Sequence, residues 1–139
     1  MSSATLNEAK ERIYTQFVAD FTATTANITF DNEKYDPPTE APWVRLAVRH
    51  TGRSQESLGP TGGRKFEAVG SVFVQCFAPL DSGTSSADTL AEAAQAVFEG
   101  NTLGTEQLRF TSAAITEVGP SDDWYQINVE AFFTYTEIK

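Results

Sequence analysis

A chain of 139 residues lies within the ~100–200 residues of one domain, so residues 1–139 are expected to form a single unit. Apolar residues make up 40% and include ten Phe, which excludes a globally disordered chain. Ten Lys and Arg against nineteen Asp and Glu give a net charge of −9, which works against nonspecific binding to a phosphate backbone. One cysteine and one histidine exclude an intramolecular disulfide, a thiol metal cluster and any two-histidine metal site.

The opening MSSATLNEAKER has neither the basic start nor the apolar core of a secretion signal. No stretch approaches the ~20 apolar residues that cross a bilayer. The expectation is a soluble chain that stays inside the cell in which it is made and has no membrane partner. Leu6, Ala9, Ile13, Phe17 and Phe21 recur at three- and four-residue steps and predict a helix over about 5–22, capped by Thr5 or Ser3. Ile28–Phe30 is a short strand candidate. DNEKYDPPTEAP follows with three prolines, which remove backbone donors and make it an extended loop. From Trp43 the pattern alternates, with Val44, Leu46 and Val48 on one side and Arg45, Ala47 and Arg49 on the other, as in a half-buried strand.

Residues 51–65, TGRSQESLGPTGGRK, hold four glycines and almost nothing apolar, and read as a long flexible hairpin connection. Phe66–Ala78 is apolar on both faces, as in a central strand. Leu90, Ala93, Ala94, Val97 and Phe98 mark a second helix from about Ser86, stopped by Gly100. Leu108–Val118 and Trp124–Ile138 are two more strands around the turn signal GPSDD. Helix, strands, helix, strands predicts an α+β fold: an antiparallel sheet with two α-helices packed on one face.

VFVQCFAPLDSGTSSAD passes from strand through a small-residue bend into a helix, the geometry that cradles phosphate in many nucleotide enzymes. It lacks the lysine that neutralises phosphate, and Asp81 and Asp88 would repel it. Ser85 or Ser86 capping the helix, with Asp88 favouring its dipole, accounts for the segment as a connection. Cys76 sits mid-strand among Phe73, Val74 and Phe77, so it reads as a small buried apolar residue rather than a partner of His50 in nucleophilic catalysis. Asp31 with Glu33, and Asp122 with Asp123, do not match a calcium-loop spacing and read as carboxylates of surface turns. The expectation is no catalytic residue, no cofactor and no metal.

Arg45, Arg49, Arg53, Arg64 and Lys65 are half of all the positive charge, gathered in one strand and loop. Arg45 and Arg49 share the outward face, and Arg53 continues it if the strand persists. One reading is a solvated face. The other is a contact between this basic strip and the acidic surface of an identical neighbour, since complementary patches on one chain are what a head-to-tail ring requires.

APWVRLAVRH after a proline-rich loop, RKFEAVGSVFVQCFAPLDSGTSSADTLAEAAQAVFEG after a glycine-rich one, and the closing DDWYQINVEAFFTY together resemble the tail terminator (tail completion) family of long-tailed bacteriophages. Most telling is R-x-F-x-x-x-G from Arg64 to Gly70, followed by V-x-V-Q-x-F-x-P from Val72 to Pro79. The likeness runs from the first helix to Ile138 and is one of fold and loops, with no catalytic signature. It implies a structural assembly protein rather than an enzyme. Such a protein would form a homo-oligomeric, hexameric ring that caps the tail tube, stops its polymerisation and offers the head-completion or neck protein an attachment surface. Viral DNA would pass through the lumen without specific binding. The place implied is the head-proximal end of the tail in the virion, after assembly in the host cytoplasm. In that setting Arg45, Arg49 and Arg53 are expected at the subunit contact, and Gly62, Gly63, Arg64 and Lys65 in a tube-facing loop. Competing readings are a head–tail connector or neck adaptor, and a small α+β enzyme.

Overall fold

The computed structural model describes residues 3–21, 28–31, 41–80, 85–121 and 124–139. The first helix, α1 (Leu6–Asp20), begins where Thr5 and Glu8 satisfy each other's backbone. The Thr5 hydroxyl accepts the Glu8 N–H at 3.2 Å, and the Glu8 carboxylate accepts the Thr5 N–H at 2.9 Å. This capping box selects Thr5 over Ser3 as the cap. Of the predicted stripe, Ala9, Ile13, Phe17 and Phe21 are buried, whereas Leu6 in the first turn is 48% exposed. The second helix, α2 (Ser85–Phe98), buries Ala87, Leu90, Ala91, Ala94, Val97 and Phe98. Ser85 and Ser86 lie inside its first turn with Asp88 and do not cap it; the residue before Ser85 is outside the described residues.

Six strands form one sheet: β1 (Ile28–Phe30), β2 (Trp43–Gln55), β3 (Lys65–Pro79), β4 (Thr102–Leu103), β5 (Leu108–Ser121) and β6 (Trp124–Ile138), in the order β1-β2-β3-β6-β5-β4. The fold is α+β, as expected, but the sheet is mixed rather than purely antiparallel, because β1 runs parallel to β2 while the other pairings are antiparallel. Side-chain alternation carries no information on strand direction. The proline-rich segment between β1 and β2 is long enough for the crossover that a parallel neighbour needs.

The second difference lies in residues 51–65. TGRSQ continues β2 as far as Gln55, which pairs with Phe66, so the connection shrinks to residues 56–64. Strand character here comes from the β3 ladder, which supplies hydrogen bonds whatever the side chains are. Between His50 and Gly52 the register shifts by one residue. The bulge exchanges the two faces of everything beyond it.

On one face of the sheet, Val44, Leu46, Val48, Val72, Val74, Cys76, Ile127, Val129, Ala131 and Phe133 join the buried residues of both helices in one hydrophobic cluster. An aromatic chain crosses it. Phe17 stacks on Phe21 and on Phe98, Phe98 meets Phe110, Phe110 meets Phe133, and Phe133 stacks on Tyr135. No helix of the described residues is long and apolar enough to cross a membrane.

Candidate assembly surface

Because strand side chains alternate, the face opposite the helices carries the other half of each strand: Trp43, Arg45, Ala47 and Arg49 of β2; Ser71, Phe73, Gln75 and Phe77 of β3; Gln126, Asn128, Glu130 and Phe132 of β6. Gln126 donates to the Asn128 side-chain carbonyl at 2.8 Å. Phe132 stands 45% exposed on this face. Trp43 lies flat against Phe77 with ring centres 4.2 Å apart and meets Trp124 edge-on, and the Arg45 guanidinium sits 5.4 Å from the centre of the Trp43 ring. Arg45, Ala47 and Arg49 line a shallow depression together with Asp31, Phe73, Gln75 and Asn128. Arg49 forms an ion pair with Asp31 and also donates to the Val48 carbonyl at 3.1 Å. The Asp31 hydrogen bond, followed by its charge, raises the Arg49 pKa further and keeps the cation fixed. Such an exposed pair adds little to folding.

Of the predicted contact residues, Arg45 and Arg49 therefore share a face and a depression. Arg53 does not join them. The bulge turns it to the helix-bearing face opposite Ala68, where it pairs with Glu137 and lies 5.1 Å from the centre of the Phe66 ring. Arg64 and Lys139 bring their cations within 5.9 and 5.6 Å of the same ring, which makes a second basic centre at the end of the sheet.

The connection 56–64 has an anchored base. Lys65 N–H donates to the Ser57 hydroxyl at 2.9 Å, and Arg64 and Lys139 exchange backbone hydrogen bonds at 3.2 and 2.9 Å. Arg64 and Lys65 thus belong to the ladder rather than to the loop tip. The turn itself is closed by Gly63 N–H on the Pro60 carbonyl at 3.0 Å, with Gly62 at φ +94°, a backbone region that favours glycine. At the tip Leu58 is 93% exposed. Sequence reasoning passed over it, although a lone leucine in ESLGPTGG was the available signal.

The two groups considered for catalysis do not meet. Cys76 is opposite Val44, whereas His50 is opposite Gly70, six residues away along β3, or ~20 Å at the rise of a strand. Cys76 is fully buried, as expected, and burial pushes its thiol up to about 12, so it holds its proton. Of the turn carboxylates, Asp31 serves Arg49, while Glu33, Asp122 and Asp123 fall outside the described residues. Among the described residues no three His, Cys, Asp or Glu side chains gather as a metal site would require.

His50 Nε2 lies 2.7 Å from the Tyr135 hydroxyl, and its buried Nδ1 has no partner among the described residues. Burial lowers its pKa, and the charges of Lys10 and Arg53 lower it further. The unfolded chain therefore takes up this proton first as the pH falls. Stability that is full above the ordinary histidine pKa of about 6.5 is lost below it. The melting temperature should drop between pH 7.5 and 5.5, and the drop should be smaller in His50→Gln; equal slopes in a fluorimetric pH series would remove His50 from the effect.

The sequence pattern described as phage tail terminator protein matches residues 9–131. Among curated proteins nothing matches. One solved structure, a protein known only by a sequence label, superposes with a TM-score of 0.66 at 18% identity, covering 94% of this chain and 96% of that one. A chain from the virion of a native gene transfer agent particle superposes with a TM-score of 0.58 at 17% identity, covering 91% of this chain and 93% of its own. At these identities the likeness is one of fold.

Proposed function

The chain belongs to the phage tail terminator protein family, and from that premise we propose that it forms a ring, six copies in the family's manner, that caps the tail tube. Membership makes it a structural protein of the phage tail, working in the virion, in a family that is not one of enzymes. The ring would stop tube growth and present its outer surface, at the head-proximal end, to a head-completion or neck protein. The observation that carries this reading is the family match across both helices and most of the sheet. The fold shared with a chain of an assembled virion supports it.

Within that role the depression around Arg45 and Arg49 forms part of the subunit contact, where it meets carboxylates of the next copy; Arg53 contributes from the opposite face of the same strand. Gly62 and Gly63 shape the tube-facing loop, Leu58 is its apolar tip, and Arg64 and Lys65 hold its base. The net charge of −9 gives a lumen along which DNA slides without phosphate neutralisation.

Purified chain added to polymerising tube protein should shorten the tubes and leave a cap at one end in negative stain. Tube lengths unchanged by an excess of the chain would overturn the reading. Arg45→Glu with Arg49→Glu should abolish capping and leave monomers in light scattering. Full capping by that variant would remove the two arginines from the contact while leaving termination intact.

A further inference from the structure

The two ends of the sheet carry long stretches of strand that nothing described covers. β1 pairs only with Val44–Leu46 of β2, and β4 only with Leu108 and Arg109 of β5. Beyond them the edge of β2 runs on to Gln55 and that of β5 to Ser121. An open edge of this length invites pairing with another chain.

The direction of the peptide groups is fixed by neighbouring hydrogen bonds. On β5, Ala113 points away from β6, because its carbonyl accepts from the Gln95 amide at 2.8 Å and its N–H donates to the Glu99 carboxylate at 3.3 Å. These two α2 side chains blunt the edge at that one residue. Peptide groups alternate sides, and no register shift intervenes between Ala113 and Glu117, so Ile115 and Glu117 also point outward. Neither has a hydrogen-bond partner among the described residues. On β2, the Glu56 N–H donates to the Lys65 carbonyl at 2.7 Å and so faces β3; Arg53 and Gln55 face outward.

We propose that these edges pair with each other between copies, β5 of one subunit with β2 of the next, so that the ring closes as a continuous sheet. The inference rests on the ring-forming role proposed above. Three observations commit it to a second copy of this chain. First, β2, β3, β6 and β5 each run antiparallel to the next, so a copy that extends the sheet presents its β2 antiparallel to β5. Second, Glu117 and Arg53 both lie on the helix-bearing face, opposite Ile127 and Ala68, and both point their peptides outward. Placed opposite each other, they form a cross-strand ion pair in which the Arg53 guanidinium is shared between Glu117 and Glu137 of its own subunit. In that register Arg53–Gln55 lies along Ile115–Glu117, short of the bulge in each strand and clear of both β1 and β4. Third, β5 exposes Ile115 and Val118 along this edge, at 38% and 48%, apolar surface that a neighbour would cover. The two edges are different surfaces of one chain, which gives the head-to-tail contact of a closed ring.

The test is a cysteine pair. Directly opposed, hydrogen-bonded residues stand ~5.5 Å apart at Cα, within disulfide reach. Arg53→Cys/Glu117→Cys, oxidised after assembly, should give a reducible ladder of linked subunits up to the full ring, and neither single variant should. Ile115→Pro removes one outward N–H from an edge where the monomer does not use it. It should fold with an unchanged circular dichroism spectrum yet fail to form rings. Rings that form without cross-links in the double-cysteine chain, or rings formed by the proline variant, would overturn edge pairing while leaving the capping role standing. A wild-type chain that stays monomeric even with tube protein would overturn both.

Discussion

Phe98→Ala should destabilise the protein by about 4 kcal/mol, the upper part of the range for an aromatic removed from a core. Phe98 is the last residue of α2 and fully buried, with one neighbour on α1 and another on β5: its ring centre is 5.8 Å from that of Phe17 and 4.9 Å from that of Phe110. Three elements meet on this one ring, so truncation leaves a cavity that no single element can close by shifting. At about 3 °C per kcal/mol for a chain of this size, the melting temperature should fall by ~12 °C. Phe98→Leu, which keeps most of the volume, should cost about 1.5 kcal/mol. Calorimetry distinguishes the two, and a loss below about 1 kcal/mol for the alanine variant would mean that the aromatic chain does not join the helices to the sheet.

Gly70→Ala should cost about 3 kcal/mol, for the opposite reason. A Cβ at position 70 would stand 2.4 Å from the Arg49 carbonyl oxygen and 2.7 Å from Phe133 Cζ. The first contact is with backbone, so relief requires β2 and β3 to part where His50 stands opposite Gly70. The second would push the Phe133 ring out of its place between Phe110 and Tyr135. The expected signature is a melting temperature lower by ~9 °C with weaker amide protection in β2, read by hydrogen exchange. A variant as stable as wild type would show that the strands can separate there without loss.

The helices were legible because burial on one side forces a three-to-four spacing, seen in Ile13 and Phe17 and again in Leu90, Ala94 and Val97. The long strands were legible for the corresponding reason at period two. What escaped was decided by backbone rather than by side chains. TGRSQ has no apolar side chain and still pairs with β3, and the bulge beside Thr51 breaks the alternation that put Arg53 with Arg45 and Arg49. The parallel sense of β1 leaves no trace in ITF, and β4 is two residues long, too short for any period. At the candidate surface the arginines were legible as a cluster of charge. Their division between two faces was not, because one extra residue in a strand turns over every side chain beyond it.

That alternation also constrains how the chain can change over evolutionary time. β3 packs Val72, Val74 and Cys76 inward while Phe73 and Gln75 face the other way. One residue gained or lost within it would exchange interior for exterior along the strand and spoil folding and contact together. Residues 56–64 bear no such alternating duty, so insertions and deletions should collect there. The reach of the loop can then drift among relatives while the spacing of the strands stays fixed.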